Sequence, residues 1–463
     1  MSEQFRTAKD TMGEMQIPID ALWGASTQRA VENFPVSGIP VPFDVVHAHA
    51  MLKWAAAAAN QESGVIADDV AEAIKQAADE VIAGDLDVHF PVDVFQTGSG
   101  TSTNMNVNEV VANRAKQLLG EDLSSGRVHP NDHVNASQSS NDTFPTSVHV
   151  AVARVAKDDL IPALQHLAAG LRAKEEEWKD VVKSGRTHLM DATPVTLGQE
   201  FSGYARQVEL GVVRVEKALE AIYELALGGT AVGTGINCPP GFVDRVIELM
   251  AERTGLPFRE AENHFSAQGA MDALVEMSGA LKTIAASLYK IANDIRWLSS
   301  GPRTGLGELQ LPEIQPGSSI MPGKVNPVIP ESVRQVCAQV MGNDVAVGIG
   351  GMNGDLELNV MIPMMVRNVI ESENLLANVS RVFQDKCIAG TTETGKGTEY
   401  VERSLMQVTV LVPEIGYERA AGFAKKAHLS GQTLREVALE EGVDEALLDR
   451  VLDYKKMTEG GVM

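Results

Sequence analysis

Apolar residues return at i, i+3, i+4 and i+7 along residues 146–178, 199–227 and 265–298, with almost no proline to break the period. Residues 331–347 and 360–383 repeat the pattern, the second with Pro363 near its start, where a helix tolerates proline. Stretches this long exceed the mean globular helix of about 11–12 residues. Apolar positions also occupy more than one face, as in residues 221–227 and 284–295. The pattern predicts a bundle of long helices whose outer faces are buried a second time, most simply by other copies of the chain. Shorter periods flank this block. Residues 51–60 are alanine-rich and residues 68–83 have helical spacing, until Pro91, Gly98 and Gly100 interrupt. Beyond residue 392 the expected helices shorten to 400–411, 416–429 and 433–441. The expected architecture is all-α in three parts: a mixed helical segment 1–138, a long-helix bundle 139–391 and a small helical segment 392–463.

Between the long helices lie polar, glycine- and proline-rich connections at 184–198, 228–241 and 299–330. Structureless loops of that length inside a compact protein are usually functional. Aromatic residues make up only 5% of the chain, which favours closely packed helices over a β-sandwich. Net charge is 39 − 62 = −23, which repels nucleic acid and anionic membranes, and no dense basic run offsets it. An anionic substrate would need a pocket made locally positive by a few placed Lys, Arg and His side chains and by backbone N–H groups. Cys238, Cys337 and Cys387 are widely separated and odd in number, so they read as reduced thiols. The start, MSEQFRTAKD, has no apolar leader, and no apolar run is long enough to span a bilayer, so the expected location is the cytoplasm.

One stretch concentrates the chemistry. In GSSIMPGKVNP, residues 317–327, glycine and proline let the backbone bend sharply and offer successive N–H groups to an anion. Ser318 and Ser319 add hydroxyls, Lys324 a fixed positive charge, and Asn326 both donors and an acceptor. A solvated loop has much the same composition. The eleven residues in a row, however, resemble the signature of the fumarase/aspartase superfamily. TGSGTSTNMNVNEV (97–110) and VHPNDHVNASQSSNDTFPT (128–146) resemble that family's first signature region. GRTHLMDATPVTLGQEFSGY (185–204) resembles its second, and all stand in the family's order. His188 in GRTHL and Gly323 in MPGKVNP resemble the class II fumarases, where aspartases carry glutamine and alanine.

The resemblance implies a fumarase/aspartase-like fold with an oligomeric helical core. It also implies reversible hydration of fumarate to L-malate, a step of the tricarboxylic acid cycle, through an aci-carboxylate intermediate. No metal or organic cofactor is implied. By resemblance Ser318 takes the carbon-bound proton, His188 serves the leaving hydroxyl, and Glu331 keeps that imidazole charged and oriented. Lys324 and Asn326 would stabilise the aci-carboxylate. Substrate binding would fall to Ser99, Gly100, Thr101, Ser139, Ser140, Asn141, Thr187, Ser319 and Val325, together with Lys324 and Asn326. His129, Pro130, Asn131 and Asp132 would form a secondary dicarboxylate site. A homotetramer with sites shared among three subunits follows in the same way. The rival readings are an aspartate ammonia-lyase and a non-catalytic superfamily member such as a lens crystallin. The chain departs from the fumarase pattern at Met190, where glutamine is frequent, and at Gln315, where glutamate is.

Ser, Thr and Asn at 99–101 and 139–141 are also preferred helix caps, and the two readings are compatible because helix N-termini bind carboxylates. Two other features carry less. GTTETGKG, residues 390–397, has the frame of a phosphate loop, but Gly397 stands where Ser or Thr is required. His47 and His49 lack the i, i+4 spacing and acidic partner of a metal pair and read as packed or solvated histidines.

Overall fold

The computed structural model describes residues 4–461; residues 1–3 and 462–463, at the ends of the first and last expected segments, lie outside the described residues. The chain divides into two compact units. One comprises Met1–Pro162, Val213–Thr283 and Ala338–Ala377, the other Ala163–Val212, Ile284–Cys337 and Asn378–Met463.

Long helices stand where the apolar period predicts them, at Leu197–Ile222, Asp272–Leu298, Val328–Gly351 and Ile362–Phe383. Residues 146–178 are not one regular helix. A wide turn at Ala156–Leu160 joins Ser140–Val155 to Ile161–Glu177. Pro162 has no N–H to continue an ordinary turn, and the Ile161 N–H reaches back to the Ala156 carbonyl instead. Residues 265–298 likewise split into His264–Gly269 and Asp272–Leu298 at an extended Ala270.

In the first unit Phe43–Glu62, Asp68–Ile82 and Thr101–Leu118 surround a core that includes Val46, Ala50, Ile74, Val107 and Val111. The third helix was hidden in the sequence because its buried residues include Asn104, Asn106, Asn108, Glu109 and Asn113 as well as apolar ones. Several of these polar groups make long-range bonds. Glu109 accepts the N–H groups of Gly24, Ser26 and Thr27 at 2.8, 3.0 and 3.1 Å, and so caps the helix Ala25–Asn33 from a distance. Asn113 donates to the Leu22 carbonyl at 2.7 Å.

In the second unit residues 184–198, expected as a loop, lie largely in an antiparallel hairpin of Val182–Thr187 with Met190–Thr196. A bulge between Ser184 and Arg186, with Pro194 in the second strand, obscured its alternation. The C-terminal helices Val408–Ile415, Tyr417–Ser430, Leu434–Glu440 and Glu445–Val451 pack on their own core of Leu411, Phe423, Leu434, Val437 and Leu448. The expected helix 400–411 is divided, because Lys396–Arg403 ends at an extended Ser404 and the buried Gln407 amide takes the Val401 carbonyl. No helix among the described residues is long and apolar enough to cross a membrane.

Candidate functional site

Two helix N-termini meet in the first unit. Thr101–Leu118 starts from Gly100 at φ +76°, and a Cβ there would lie 2.2 Å from the Phe144 ring, so glycine is required twice over. Ser140–Val155 starts from Ser139 with a capping box. The Ser139 hydroxyl accepts the Asn141 N–H at 3.2 Å, and Asp142 accepts the Ser139 N–H at 3.0 Å. Hydroxyls link the two starts: Ser99 Oγ to Thr101 Oγ1 at 2.9 Å, and Thr101 Oγ1 to Ser140 Oγ at 2.8 Å. The Asn141 amide donates to the Ala231 carbonyl at 2.8 Å. Ser99, Gly100, Thr101, Ser139, Ser140 and Asn141 are thus brought together. Hydroxyls and helix-start N–H groups make this a place for a carboxylate.

Behind this cradle lie residues the sequence reading missed. Asp142 is buried, and its second oxygen accepts the N–H groups of Gly228 and Thr230 at 3.1 and 2.9 Å. Burial pushes its carboxyl up from the usual range. Lys53 is 0% exposed and donates to Asn104, Asn135 and Gln138 at 2.8, 2.9 and 2.9 Å. The available signal was a lone lysine inside an alanine-rich helical stretch. His49 is buried between Ser147 and Asn104 at 2.7 and 2.9 Å, whereas His47 pairs with Asp87 at 2.8 Å. Burial, then the Lys53 charge, hold the His49 imidazole well below its ordinary range.

The 317–327 loop belongs to the second unit and closes on itself. The Gly317 N–H donates to the Lys324 carbonyl at 2.9 Å, and the Asn326 amide returns to the Gly317 carbonyl at 2.6 Å. Ser318 Oγ accepts two backbone N–H groups, from Ile320 at 3.3 Å and Met321 at 3.1 Å. Ser319, Lys324 and Val325 are exposed. Lys324, Val325 and Asn326 line a hollow of about 270 Å³ together with Ser299, Gln310 and Thr394. Glu331 sits in the first turn of Val328–Gly351.

His188 and Leu189 form the two-residue turn of the hairpin, at φ +56° and +61°. Such turns normally take Asn-Gly, because a side chain in the left-handed region is strained. Strain of this kind gathers at functional sites. Thr187, His188 and Met190 are exposed around the tip. Below it, buried Glu308 receives Arg186 at 2.6 Å and Lys183 at 3.1 Å, and Lys183 also reaches Glu200 at 3.0 Å. His188 and Glu331 make no side-chain hydrogen bond or ion pair among the described residues.

The secondary candidates share one short turn, Pro130–Val134. His129 precedes it, with Nδ1 accepting the Asp132 N–H at 3.2 Å and lying 3.1 Å from the Asp132 carboxylate. His129, Asn131 and Asp132 are exposed and Pro130 half-buried. In the phosphate-loop look-alike, Thr392–Glu393 pairs with Leu309–Gln310, and Lys396 is tied to the Pro302 carbonyl.

Residues 13–342 match the family described as Lyase, and residues 408–459 the family described as Fumarase C C-terminus. The class II fumarate hydratase of Mycobacterium tuberculosis is 55% identical, covering 99% of this chain and 97% of its own. That of Thermosynechococcus vestitus is 54% identical, covering 96% and 95%. Among solved structures, the class II fumarase from Schistosoma mansoni superposes with a TM-score of 0.96 at 41% identity, covering 98% of this chain and 99% of its own.

Proposed function

The chain belongs to the class II fumarate hydratases, and on that premise we propose how its residues perform the reversible hydration of fumarate to L-malate. The observation that carries the scheme is the pair of backbone N–H groups on Ser318 Oγ. Serine is a poor base at its free pKa, and an oxygen already accepting two N–H bonds is prepared for negative charge.

In dehydration, Ser318 Oγ, as the alkoxide, takes a proton from the methylene carbon next to one carboxylate of L-malate and becomes the neutral hydroxyl. The electron pair left on carbon spreads into that carboxylate, giving the aci-carboxylate. Lys324, Asn326 and the loop N–H groups stabilise the added charge, each ~1.4 kcal/mol being worth tenfold in rate. The carbon–oxygen bond then breaks, the pair forms the double bond, and His188 supplies a proton to the departing hydroxyl, directly or through a water. Fumarate and water leave, and hydration reverses the steps. Glu331 keeps the imidazole charged and oriented. Ser99, Gly100, Thr101, Ser139, Ser140 and Asn141 hold the substrate with Thr187, Ser319 and Val325, and the turn at His129, Pro130, Asn131 and Asp132 takes a second dicarboxylate.

A homotetramer completes each site from three copies: Thr187 and His188 from one, residues 318–326 from another, the cradle from a third. Val345, 61% exposed, and Ile349 on the long helix Val328–Gly351 support a covered face there. We place the enzyme in the cytoplasm, checked by cell fractionation. The decisive assay follows fumarate absorbance with L-malate and with L-aspartate. Fumarate from malate supports the scheme; fumarate only from aspartate, or from neither, overturns it. A fully active monomer in light scattering would sink the shared site.

A further inference from the structure

Lys53 occupies the middle of Phe43–Glu62 with no exposure to solvent, and nothing in the reaction scheme employs it. Its three acceptors are all amide oxygens at 2.8–2.9 Å. An ammonium has three N–H donors and a neutral amine only two, so the arrangement fits the charged form with every hydrogen used. The acceptors come from the segments that build the cradle. Asn104 lies in the first turn of Thr101–Leu118, Asn135 follows the turn Pro130–Val134, and Gln138 immediately precedes the cap Ser139. Asn104 and Asn135 are themselves shared: Asn104 Oδ1 also meets His49 Nε2 at 2.9 Å, and Asn135 Oδ1 accepts from Asn108 at 3.2 Å. The Gln138 amide turns back to the Val134 and Ala136 carbonyls at 3.1 and 2.9 Å.

We propose that Lys53 is a positioning residue for dicarboxylate binding, its buried ammonium clamping Asn104, Asn135 and Gln138 so that the helix starts at Thr101 and Ser140 hold one geometry and one positive field. The inference rests on the reading of residues 99–101 and 139–141 as the dicarboxylate cradle. It also puts a buried cation, opposed by the Asp142 carboxyl, behind the cradle of a chain of net charge −23.

The groups facing Lys53 set its titration. His49, on the same helix, is buried and held neutral by burial and by Lys53 itself. Asp142, on Ser140–Val155, is buried, and its charge favours the ammonium. Thr101–Leu118 and the segment before Ser139 contribute the neutral amides of Asn104, Asn135 and Gln138. Burial brings the ammonium down to about 7. Below that pH the clamp is charged. Above it one N–H is lost, one amide oxygen loses its donor, and the dianion loses its buried counter-charge. Affinity for a dicarboxylate therefore falls as pH rises through neutrality.

Succinate is an unreactive four-carbon dicarboxylate, and its binding to the full chain can be titrated calorimetrically between pH 6.5 and 9. Lys53→Met takes a donor from three buried amide oxygens and should lower stability, so its fold is checked by circular dichroism and urea unfolding before binding is read. At pH 6.5 it should weaken succinate about tenfold or more, the range of a lost charged hydrogen bond, and at pH 9 by less than about twofold. The pH dependence that the substitution removes is that of Lys53, and with it the hold of Lys53 on His49; histidines away from Lys53 are the same in both proteins. A folded Lys53→Met protein with wild-type affinity and an unchanged pH profile overturns the proposal. Gln138→Met provides a second arm that keeps Lys53. With one acceptor fewer, the midpoint of the pH dependence should move below the wild-type value, and an unmoved midpoint also overturns it. Malate turnover by the wild-type protein, measured in parallel, separates the two readings. Succinate binding with the Lys53 profile but no turnover removes the fumarase scheme alone; turnover without any Lys53 effect removes the clamp alone.

Discussion

Residues 97–142 and residues 317–327 draw on the same residue types, glycine, serine and asparagine among them, yet they are built in opposite ways. The first region is tied into the interior of its unit. A Cβ on Gly98 would lie 1.6 Å from the Val360 carbonyl oxygen, Asp142 takes three backbone N–H groups, and Lys53 binds three amides from below. The second region bonds mainly to itself. Ile320 is 83% exposed, and a Cβ on Gly323 would meet nothing within 4 Å. A binding surface held by buried groups is preorganised before substrate arrives, which is where electrostatic stabilisation is most effective. The exposed loop is held mainly by its own hydrogen bonds. Polar composition makes both candidates for binding segments. Burial separates them: the first is fixed from behind and the second is not.

The sharpest way to break the comparison is Ser318→Ala. If the loop carries the base, kcat for malate should fall about 10³-fold, within the range for a lost acid–base group, with little change in unfolding midpoint. Near-normal turnover would remove the loop's chemical role. Next is Asp142→Ala in the cradle, which leaves three backbone N–H groups without their acceptor. It should cost at least about 2 kcal/mol in urea unfolding and weaken succinate as well. A loss below about 0.5 kcal/mol would mean the cradle is not held from behind.

A third measurement reads the buried cation through pH. Lys53 is lowered from 10.5 to about 7 in the folded chain, so between those values the unfolded chain binds the extra proton. Its contribution makes stability rise with pH across that window, by at most about 1.4 kcal/mol per unit. Urea unfolding of Lys53→Met should show a shallower rise than wild type from pH 7 to 10; identical slopes would place the lysine outside the titration. The smallest effect is expected at the tip of the loop. Ile320→Ser should change unfolding free energy by no more than about 0.5 kcal/mol. A larger loss would mean that the loop packs where its exposure says it does not.

Legibility in the sequence followed the same divide. The long helices Leu197–Ile222 and Val328–Gly351 were readable because their apolar period is local. Thr101–Leu118 was not, since five of its buried positions are Asn or Glu whose bonds run to distant residues. Glu109 and Gly24 are 85 positions apart, Lys53 and Gln138 likewise 85, and no periodicity reports such a pairing. The hairpin under His188 stands where the sequence predicts a loop, because a bulge and Pro194 break its alternation.

By itself the sequence determined the family, the order of the long helices and which polar motifs to propose as the site, because motif and period are properties of neighbours along the chain. Only the tertiary structure decided that His188 sits in a left-handed turn, that Ser318 Oγ accepts two N–H groups, and that a lysine lies buried beneath the cradle. Backbone curvature and desolvation depend on what the fold brings close, and for Lys53 those neighbours are side chains 51 to 85 residues away.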